Sequence, residues 1–320
     1  MTRPLAATET LLRPKSPESE RVRTRFAPSP TGYLHLGHAA SALFVWGLGK
    51  ALGGRVLLRI EDHDRGRCRP EFETATFADL AWLGFVPDEP PTRQSDRTPL
   101  YERSLATLRK NARVYGCDCT RKRLSSLDRS PESAEGELRY DGHCRDRGIP
   151  ADRPGAGVRV VIPDEEIAFT DLKLGPRRHR PAAQAGDLLL RDRHGQWTYQ
   201  FAAVVDDLAQ DVTLVVRGED LAESTGRQIL LARLLGRDAP PAFYHHPLIV
   251  DAAGKKLSKR FYAEAIAKRR EEGAAAAVVL GEAASLTGLL ASPAPLDGKS
   301  VAALFAREAA RITALLPGGT

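Results

Sequence analysis

The sequence predicts an α/β fold with a parallel sheet wound by helices, and three observations carry the prediction. Short apolar runs of strand length alternate with longer stretches of helical periodicity. Gly and Pro punctuate the joints between them. The rhythm breaks in mid-chain, over a segment of different composition, and then resumes.

Residues 21–26 read as a strand ending in the turn Pro28-Ser29-Pro30-Thr31-Gly32. Residues 36–52 place Ala39, Ala40, Leu43, Trp46 and Leu48 near helical spacing, and Gly53-Gly54 stops the helix. Residues 55–60 form a compact apolar strand. Phe72, Ala75, Thr76, Asp79, Leu80 and Leu83 then give a helix with one mostly apolar face, ending near Gly84. Strands separated by helices pair in parallel, because a hairpin cannot join them.

The break spans residues 113–190, rich in Arg, Asp, Gly and Pro and holding three of the four cysteines. The pattern resumes at 197–205, followed by a strand over 212–216, a helix over 224–235 and a strand over 246–250. The tail is alanine-rich. Its clearest helix starts at Ser300, with Val301, Leu304, Phe305, Ile312 and Leu315 near helical spacing, and stops at Pro317-Gly318. The expected organisation is a flexible extension (1–20), a first sheet half (21–112), an insertion (113–190), a second sheet half (191–250), and a lysine loop with a helical tail (251–320).

Of the 320 residues, 42% are hydrophobic and 28% charged, as in a soluble globular domain. No apolar run approaches the roughly 20 residues of a bilayer span. The first twenty residues lack the hydrophobic stretch of a secretory signal, and four cysteines are too few for a disulfide scaffold. A cytoplasmic monomer without membrane association is expected. The absence of an internal repeat argues against a solenoid. The net charge of +6 favours a polyanionic partner without naming one.

The first chemical signal is His35-Leu36-Gly37-His38, where a strand and tight turn lead into a helix. Free backbone N–H groups and the helix dipole favour phosphate at such an N-terminus. His35 and His38 share a face of the first turn and can donate to phosphate oxygens, and Gly37 leaves room for a flat base. In isolation the pair equally suits helix capping or metal ligation. The second signal is Lys256-Leu257-Ser258-Lys259-Arg260, opened by Gly254, which suits a mobile clamp on a triphosphate. Gly298-Lys299-Ser300 imitates the end of a phosphate-binding P-loop, but position 293 is Pro where that motif requires Gly.

Ligands of open α/β sheets gather at the carboxyl ends of strands. Arg25, Glu61, Asp62 and Arg217 all fall there. As a set they suit an acidic amino acid, two guanidiniums meeting two carboxylates while Glu61 faces the ammonium. Cys117, Cys119 and Cys144 suit three ligands of a tetrahedral zinc, with the adjacent His143 as the generic fourth, or stand as free thiols.

The order and separation of the two signals resemble the HIGH and KMSKS signatures of class I aminoacyl-tRNA synthetases. The string RFAPSPTGYLHLGH at 25–38, RIED at 59–62, TYQFAAVVDD at 198–207 and VVRGED at 215–220 are similar to segments of the glutamate-activating branch. The zinc-type insertion, with no anticodon-binding domain after the lysine loop, narrows the resemblance to the glutamyl-Q tRNA(Asp) synthetases over residues 21–290. The resemblance implies a Rossmann-type parallel sheet split by a zinc-bearing insertion, with a short helical C-terminal region. It places glutamate on Arg25, Phe26, Ala27, Pro28, Ser29, Glu61, Tyr199 and Arg217. ATP with Mg²⁺ falls to His35, Gly37, His38 and Lys259, and catalysis to His35, His38, Lys256 and Lys259. One Zn²⁺ falls to Cys117, Cys119, Tyr140 and Cys144, tyrosine taking the fourth position.

The implied reaction is activation of L-glutamate without tRNA, then transfer to queuosine at the wobble position of tRNA(Asp). Arg121-Lys122-Arg123 and Arg177-Arg178-His179-Arg180 are candidate phosphate contacts. The other readings are the catalytic half of an ordinary glutamyl-tRNA synthetase, a non-catalytic RNA-binding paralogue, and a small-molecule adenylyl-transferring ligase; the zinc-type insertion and the RIED and VVRGED segments argue against the last.

Overall fold

An apolar strand such as 55–60 must be covered on both faces, and the glycine-stopped helix before it can cover only one. The computed structural model, which describes residues 22–64, 66–127, 138–249 and 264–315, shows how the rest is supplied. In chain order the elements are β1 (Arg23–Phe26), α1 (Leu36–Ala51), β2 (Arg55–Ile60), α2 (Pro70–Trp82), β3 (Thr92–Arg93), α3 (Thr98–Asn111), β4 (Val114–Cys117) and α4 (Arg121–Ser125). They continue with β5 (Gly157–Val160), β6 (Ile167–Asp171), β7 (Gly175–His179), α5 (Pro181–Ala185), β8 (Leu188–Arg191), α6 (Tyr199–Ala209), β9 (Leu214–Gly218) and α7 (Thr225–Leu234). The last are β10 (Ala242–His246), α8 (Ile266–Glu271), α9 (Ala276–Leu286), α10 (Val301–Leu304) and α11 (Ala306–Thr313).

β1, β2 and β3 pair in parallel, and a second sheet runs in the order β7-β6-β10-β9. β9, β10 and β6 are parallel, with β7 antiparallel at the edge. The two sheets meet where β1 lies beside β9. The Thr213 N–H donates to the Arg23 carbonyl at 3.0 Å, and the Arg23 N–H donates to Thr213 Oγ1 at 2.9 Å. From this seam the chain winds outward in both directions, which makes the carboxyl ends of β1 and β9 a topological switch point. A separate antiparallel sheet, β4-β5-β8, carries the cysteine segment.

α1 is buried nearly all round. One side packs on β1 and β2, and the other receives α9, α10 and α11. Gly47 makes the second contact possible: a Cβ there would come within 2.2 Å of the Phe305 ring. Gly47→Ala is therefore expected to cost about 1–3 kcal/mol through overpacking, read as a lower Tm. An unchanged Tm would mean that Phe305 has room to move aside.

Three expectations need correction. The strand predicted over 246–250 is β10, which ends at His246 and begins at Ala242. His245 and His246 hid it, since two imidazoles do not look like core, yet both are buried. The helix predicted from Ser300 is two, α10 and α11, parted at Phe305, whose N–H bonds to the Ala302 carbonyl three residues back. Within 113–190, β6 and β7 pair with the second sheet half, so only β4, β5, β8 and the cysteine segment stand apart. The Gly298–Ser300 segment is a short 3₁₀ turn packed against the Leu83 carbonyl, with no phosphate loop about it. Among the described residues no helix is long and apolar enough to cross a membrane.

Candidate functional site

The helix start predicted to face phosphate is built by its own histidines. His35 is the N-cap of α1, with extended backbone, and its Nδ1 accepts the Gly37 N–H at 3.1 Å. The His38 Nδ1 accepts the His35 N–H at 3.1 Å, completing a reciprocal cap. An imidazole that accepts at Nδ1 carries its proton on Nε2, so both rings present Nε2–H donors. Their centroids are 4.0 Å apart. Gly37 is required here for a reason the spacing did not reveal: a Cβ would lie 2.9 Å from the His35 ring. Lys256 and Lys259 lie outside the described residues.

At the seam, Arg25 ends β1 and donates through Nε to Asp207 Oδ1 at 2.9 Å. Arg59, fully buried beside it on β2, donates to the same oxygen at 2.7 Å, to Gln210 Oε1 at 3.0 Å and to Glu61 Oε1 at 3.2 Å. Burial opposes charge on Asp207, but the Arg25 and Arg59 guanidiniums outweigh it and hold the carboxyl at about 2. Burial raises the Glu61 pKa, with Arg59 pulling the other way. Ser29 Oγ donates to the Glu61 carbonyl at 2.6 Å, and the Glu61 N–H donates to the Pro28 carbonyl at 3.0 Å. The turn through Ala27, Pro28 and Ser29 is thus fastened to the end of β2. Phe26 turns its ring inward against Trp46, 5.5 Å away, leaving its main chain to face the switch point.

Arg217, on β9, is buried and has a different set of neighbours. Its Nε donates to His245 Nε2 at 3.0 Å, and Nη2 donates to Thr225 Oγ1 at 2.9 Å. Nη1 donates to Gln228 Oε1 at 2.6 Å and, at 3.5 Å, to the Tyr199 hydroxyl. Among the described residues no carboxylate lies within ion-pair distance of it. Burial of this charge pulls the Arg217 pKa down. A buried guanidinium held only by neutral acceptors is a site waiting for an anion. Sequence reasoning reached Arg217 but not Arg59, Asp207, Asp171, Thr225, Gln228 or His245. The signals on offer were the RIED and TYQFAAVVDD segments, which hold Arg59 and Asp207, and the pair of histidines at the end of an apolar strand.

The three cysteines converge. Cys119 Sγ and Cys144 Sγ are 3.5 Å apart, and the Tyr140 hydroxyl is 3.6 Å from Cys117 Sγ and 4.0 Å from Cys119 Sγ. The three sulfurs lie within 4.8 Å of one another, and all four residues are buried. A tetrahedron with arms of roughly 2.3 Å has edges of about 3.8 Å, close to the 3.5, 3.6 and 4.0 Å separations found here. The Cys144 N–H donates to the Tyr140 oxygen at 2.9 Å, and the Arg159 guanidinium lies 3.6 Å above the Tyr140 ring. The Cys144 bond favours a phenolate, but burial and the Cys117 thiol outweigh it and push the Tyr140 hydroxyl up. Burial and the neighbouring Cys144 and Cys117 thiols push the Cys119 thiol up to about 12. His143 is exposed and lies against Arg147, whereas the Tyr140 hydroxyl is turned in among the sulfurs.

The basic runs are less available than their charge suggests. Arg123 pairs with Asp141, Arg178 with Glu166 and Arg180 with Asp164. His179 is buried, its Nδ1 accepting the Gly226 N–H at 3.2 Å. Between the cysteine segment and the start of α6 lies a cavity of about 330 Å³, walled by Leu124, Tyr140, Arg159, Leu189, Thr198 and Gln200 among others.

Fold and site together define a class I tRNA synthetase-like ligase. The family model of class I tRNA synthetases (E and Q), catalytic domain, matches residues 21–280. A glutamyl-Q tRNA(Asp) synthetase of Symbiobacterium thermophilum is 42% identical over 321 residues, covering 92% of this chain and 98% of that protein. Another, from Rhodobacter capsulatus, is 43% identical over 270 residues, covering 78% and 95%. The crystal structure of a glutamate tRNA ligase from Elizabethkingia meningosepticum, in complex with its amino acid, is similar with a TM-score of 0.69 and 32% identity. That likeness covers 82% of this chain and 60% of that one. The chain belongs to the glutamyl-Q tRNA(Asp) synthetase family, a branch of the class I glutamyl-tRNA synthetases.

Proposed function

We propose that this cytoplasmic ligase activates L-glutamate with ATP in the absence of tRNA, and then transfers it to queuosine at the wobble position of tRNA(Asp). The observation that carries the first half is Arg217, a buried cation prepared for a carboxylate that the described residues do not supply. Glutamate would place one carboxylate on Arg217 and its ammonium toward Glu61. Its α-carboxylate oxygen attacks the α-phosphorus of ATP, and pyrophosphate leaves from the opposite side. No general base is needed, because the nucleophile is already ionised. His35 and His38 donate through Nε2 to the phosphates, while Lys256 and Lys259 close over them, so positioning and charge neutralisation do the work. Mg²⁺ enters with the nucleotide.

In the second half an acceptor hydroxyl attacks the adenylate carbonyl and AMP leaves. The cavity beside Tyr199 suits an acceptor base, since Thr198 and Gln200 line it while Tyr199 between them touches Arg217. The relatives' name, glutamyl-Q tRNA(Asp) synthetase, supports queuosine as that base. Cys117, Cys119, Tyr140 and Cys144 would hold one Zn²⁺ in a closed, four-ligand structural site with no position open to substrate.

The test is glutamate-dependent ATP–pyrophosphate exchange without tRNA. Exchange with glutamate, and little with glutamine or aspartate, followed by labelling of queuosine-bearing tRNA(Asp), is the expected result. Exchange that begins only when tRNA(Glu) is added would instead indicate an ordinary synthetase catalytic half.

A further inference from the structure

Arg217 is held by buried groups that have no part in the reaction as written. His245 accepts from its Nε through Nε2, and His245 Nδ1 lies 2.6 Å from Asp171 Oδ2. Asp171 is pinned in turn, its Oδ1 accepting the N–H groups of Lys173 and Leu174 at 2.9 and 2.8 Å. His245 and Asp171 are each only 1% exposed. An imidazole accepting at Nε2 must carry its proton on Nδ1, and the Asp171 carboxylate selects that tautomer.

We infer that Asp171 and His245 are positioning residues for the substrate carboxylate, locking Arg217 with its Nε turned away and its terminal nitrogens turned to the pocket. The inference rests on the reading of Arg217 as the glutamate anchor.

The two arginines of the site show what the arrangement achieves. Arg25 meets Asp207 directly, and much of its charge is spent within the protein. Arg217 reaches Asp171 only through a neutral imidazole, which passes on orientation without passing on the negative charge. A direct Arg217–Asp171 pair would compete with the substrate. A guanidinium has five N–H groups. His245, Gln228 and Thr225 take one each at 3.0 Å or less. Two remain, one facing the Tyr199 hydroxyl at the long distance of 3.5 Å. Two N–H groups are what one carboxylate needs for bidentate binding.

The device works only while His245 is neutral. It faces Asp171 from β6, Arg217 from β9 and Thr225 from α7, with Arg177 and His179 of β7 nearby. Burial lowers its pKa, and Arg217 and Arg177 add to that against the Asp171 bond. Protonation would aim an Nε2–H at the Arg217 Nε–H and expel the fork. The KM for glutamate should therefore rise as pH falls below the ordinary imidazole range.

The experiment compares His245→Ala, His245→Gln, Asp171→Asn and Arg217→Gln in ATP–pyrophosphate exchange with the full chain, across pH, with Tm recorded for each. His245→Ala is expected to raise the glutamate KM roughly tenfold or more, the loss of a bond to a charged group, with kcat and the ATP KM within a few-fold. His245→Gln, which restores an acceptor, should recover part of the loss and abolish the acid limb. Asp171→Asn is nearly isosteric, so it carries the test should His245→Ala fail to fold, and it should raise the glutamate KM less. A glutamate KM unmoved by His245→Ala and Asp171→Asn, while Arg217→Gln raises it, would overturn the positioning role alone. A glutamate KM unmoved by Arg217→Gln would overturn the anchor reading and the inference with it. Equal rises in the glutamate and ATP KM values would show general damage and also overturn it.

Discussion

Arg217→Gln is expected to lower kcat/KM for glutamate by roughly two to four orders of magnitude, with the ATP KM nearly unchanged. Breaking a buried pair by removing one charge costs about 3–5 kcal/mol, and each 1.36 kcal/mol is about a factor of ten in rate. Here the pair exists only when substrate is bound. The free protein carries the cation with neutral partners alone, so the same substitution removes a buried charge from the fold. Stability should then stay level or rise, the usual exchange between a prepared site and a relaxed one. Arg217→Lys should not rescue activity, because one ammonium cannot reach His245, Gln228 and Thr225 and still offer a fork. Thermal unfolding beside exchange kinetics checks both halves. A fall in Tm that tracks the loss of activity would mean that Arg217 supports the fold rather than the substrate.

The residues that sequence reasoning reached share one property: their role depends on local chain geometry. His35 and His38 act three residues apart on one turn, and Arg25, Glu61 and Arg217 stand at the ends of strands whose apolar runs are plain. What stayed hidden depends on partners distant in the chain. Asp207 reaches Arg25 and Arg59 across 182 and 148 residues, and Asp171 reaches His245 across 74. No periodicity records such a pairing. β10 was misplaced for a related reason, since His245 and His246 are polar by composition but buried by virtue of Asp171 and Ser41, their partners. The cysteine cluster is intermediate. Its three thiols were legible from their clustering and Tyr140 from the family resemblance, while spacing alone offered His143, which is exposed where Tyr140 is buried.

That cluster yields the other large effect. Cys144→Ser is expected to reduce zinc from about one per chain to near none, and to separate the two half-reactions. A short path runs from the cluster to the start of α6. The Tyr140 N–H donates to the Ala185 carbonyl, and Gly186 lies against the Tyr140 backbone, where a Cβ would approach to 2.1 Å. Gly186 leads into β8, whose Leu190 and Leu189 carbonyls accept the Thr198 N–H and Oγ1–H at 2.9 and 2.7 Å. Thr198 is the cap of α6, and Tyr199 follows it. Loosening the cluster should therefore displace Tyr140, Arg159 and the start of α6, which are walls of the acceptor cavity. The firm holds on Arg217 come from β10 of the other sheet and from α7. The start of α6 touches them at second hand, through the Gln200 Oε1 that accepts from Gln228 Nε2 at 2.9 Å and the Tyr199 hydroxyl at 3.5 Å from Arg217. Exchange with glutamate should persist within about tenfold, while transfer to RNA should fall by more than about a hundredfold, since displacing a reacting group by about 1 Å can cost that much. Metal content, exchange and transfer measured on one preparation decide the matter. A wild-type chain that holds no metal after gentle purification would remove the premise. Equal loss of both half-reactions would show that the cluster supports the whole site and not the acceptor side.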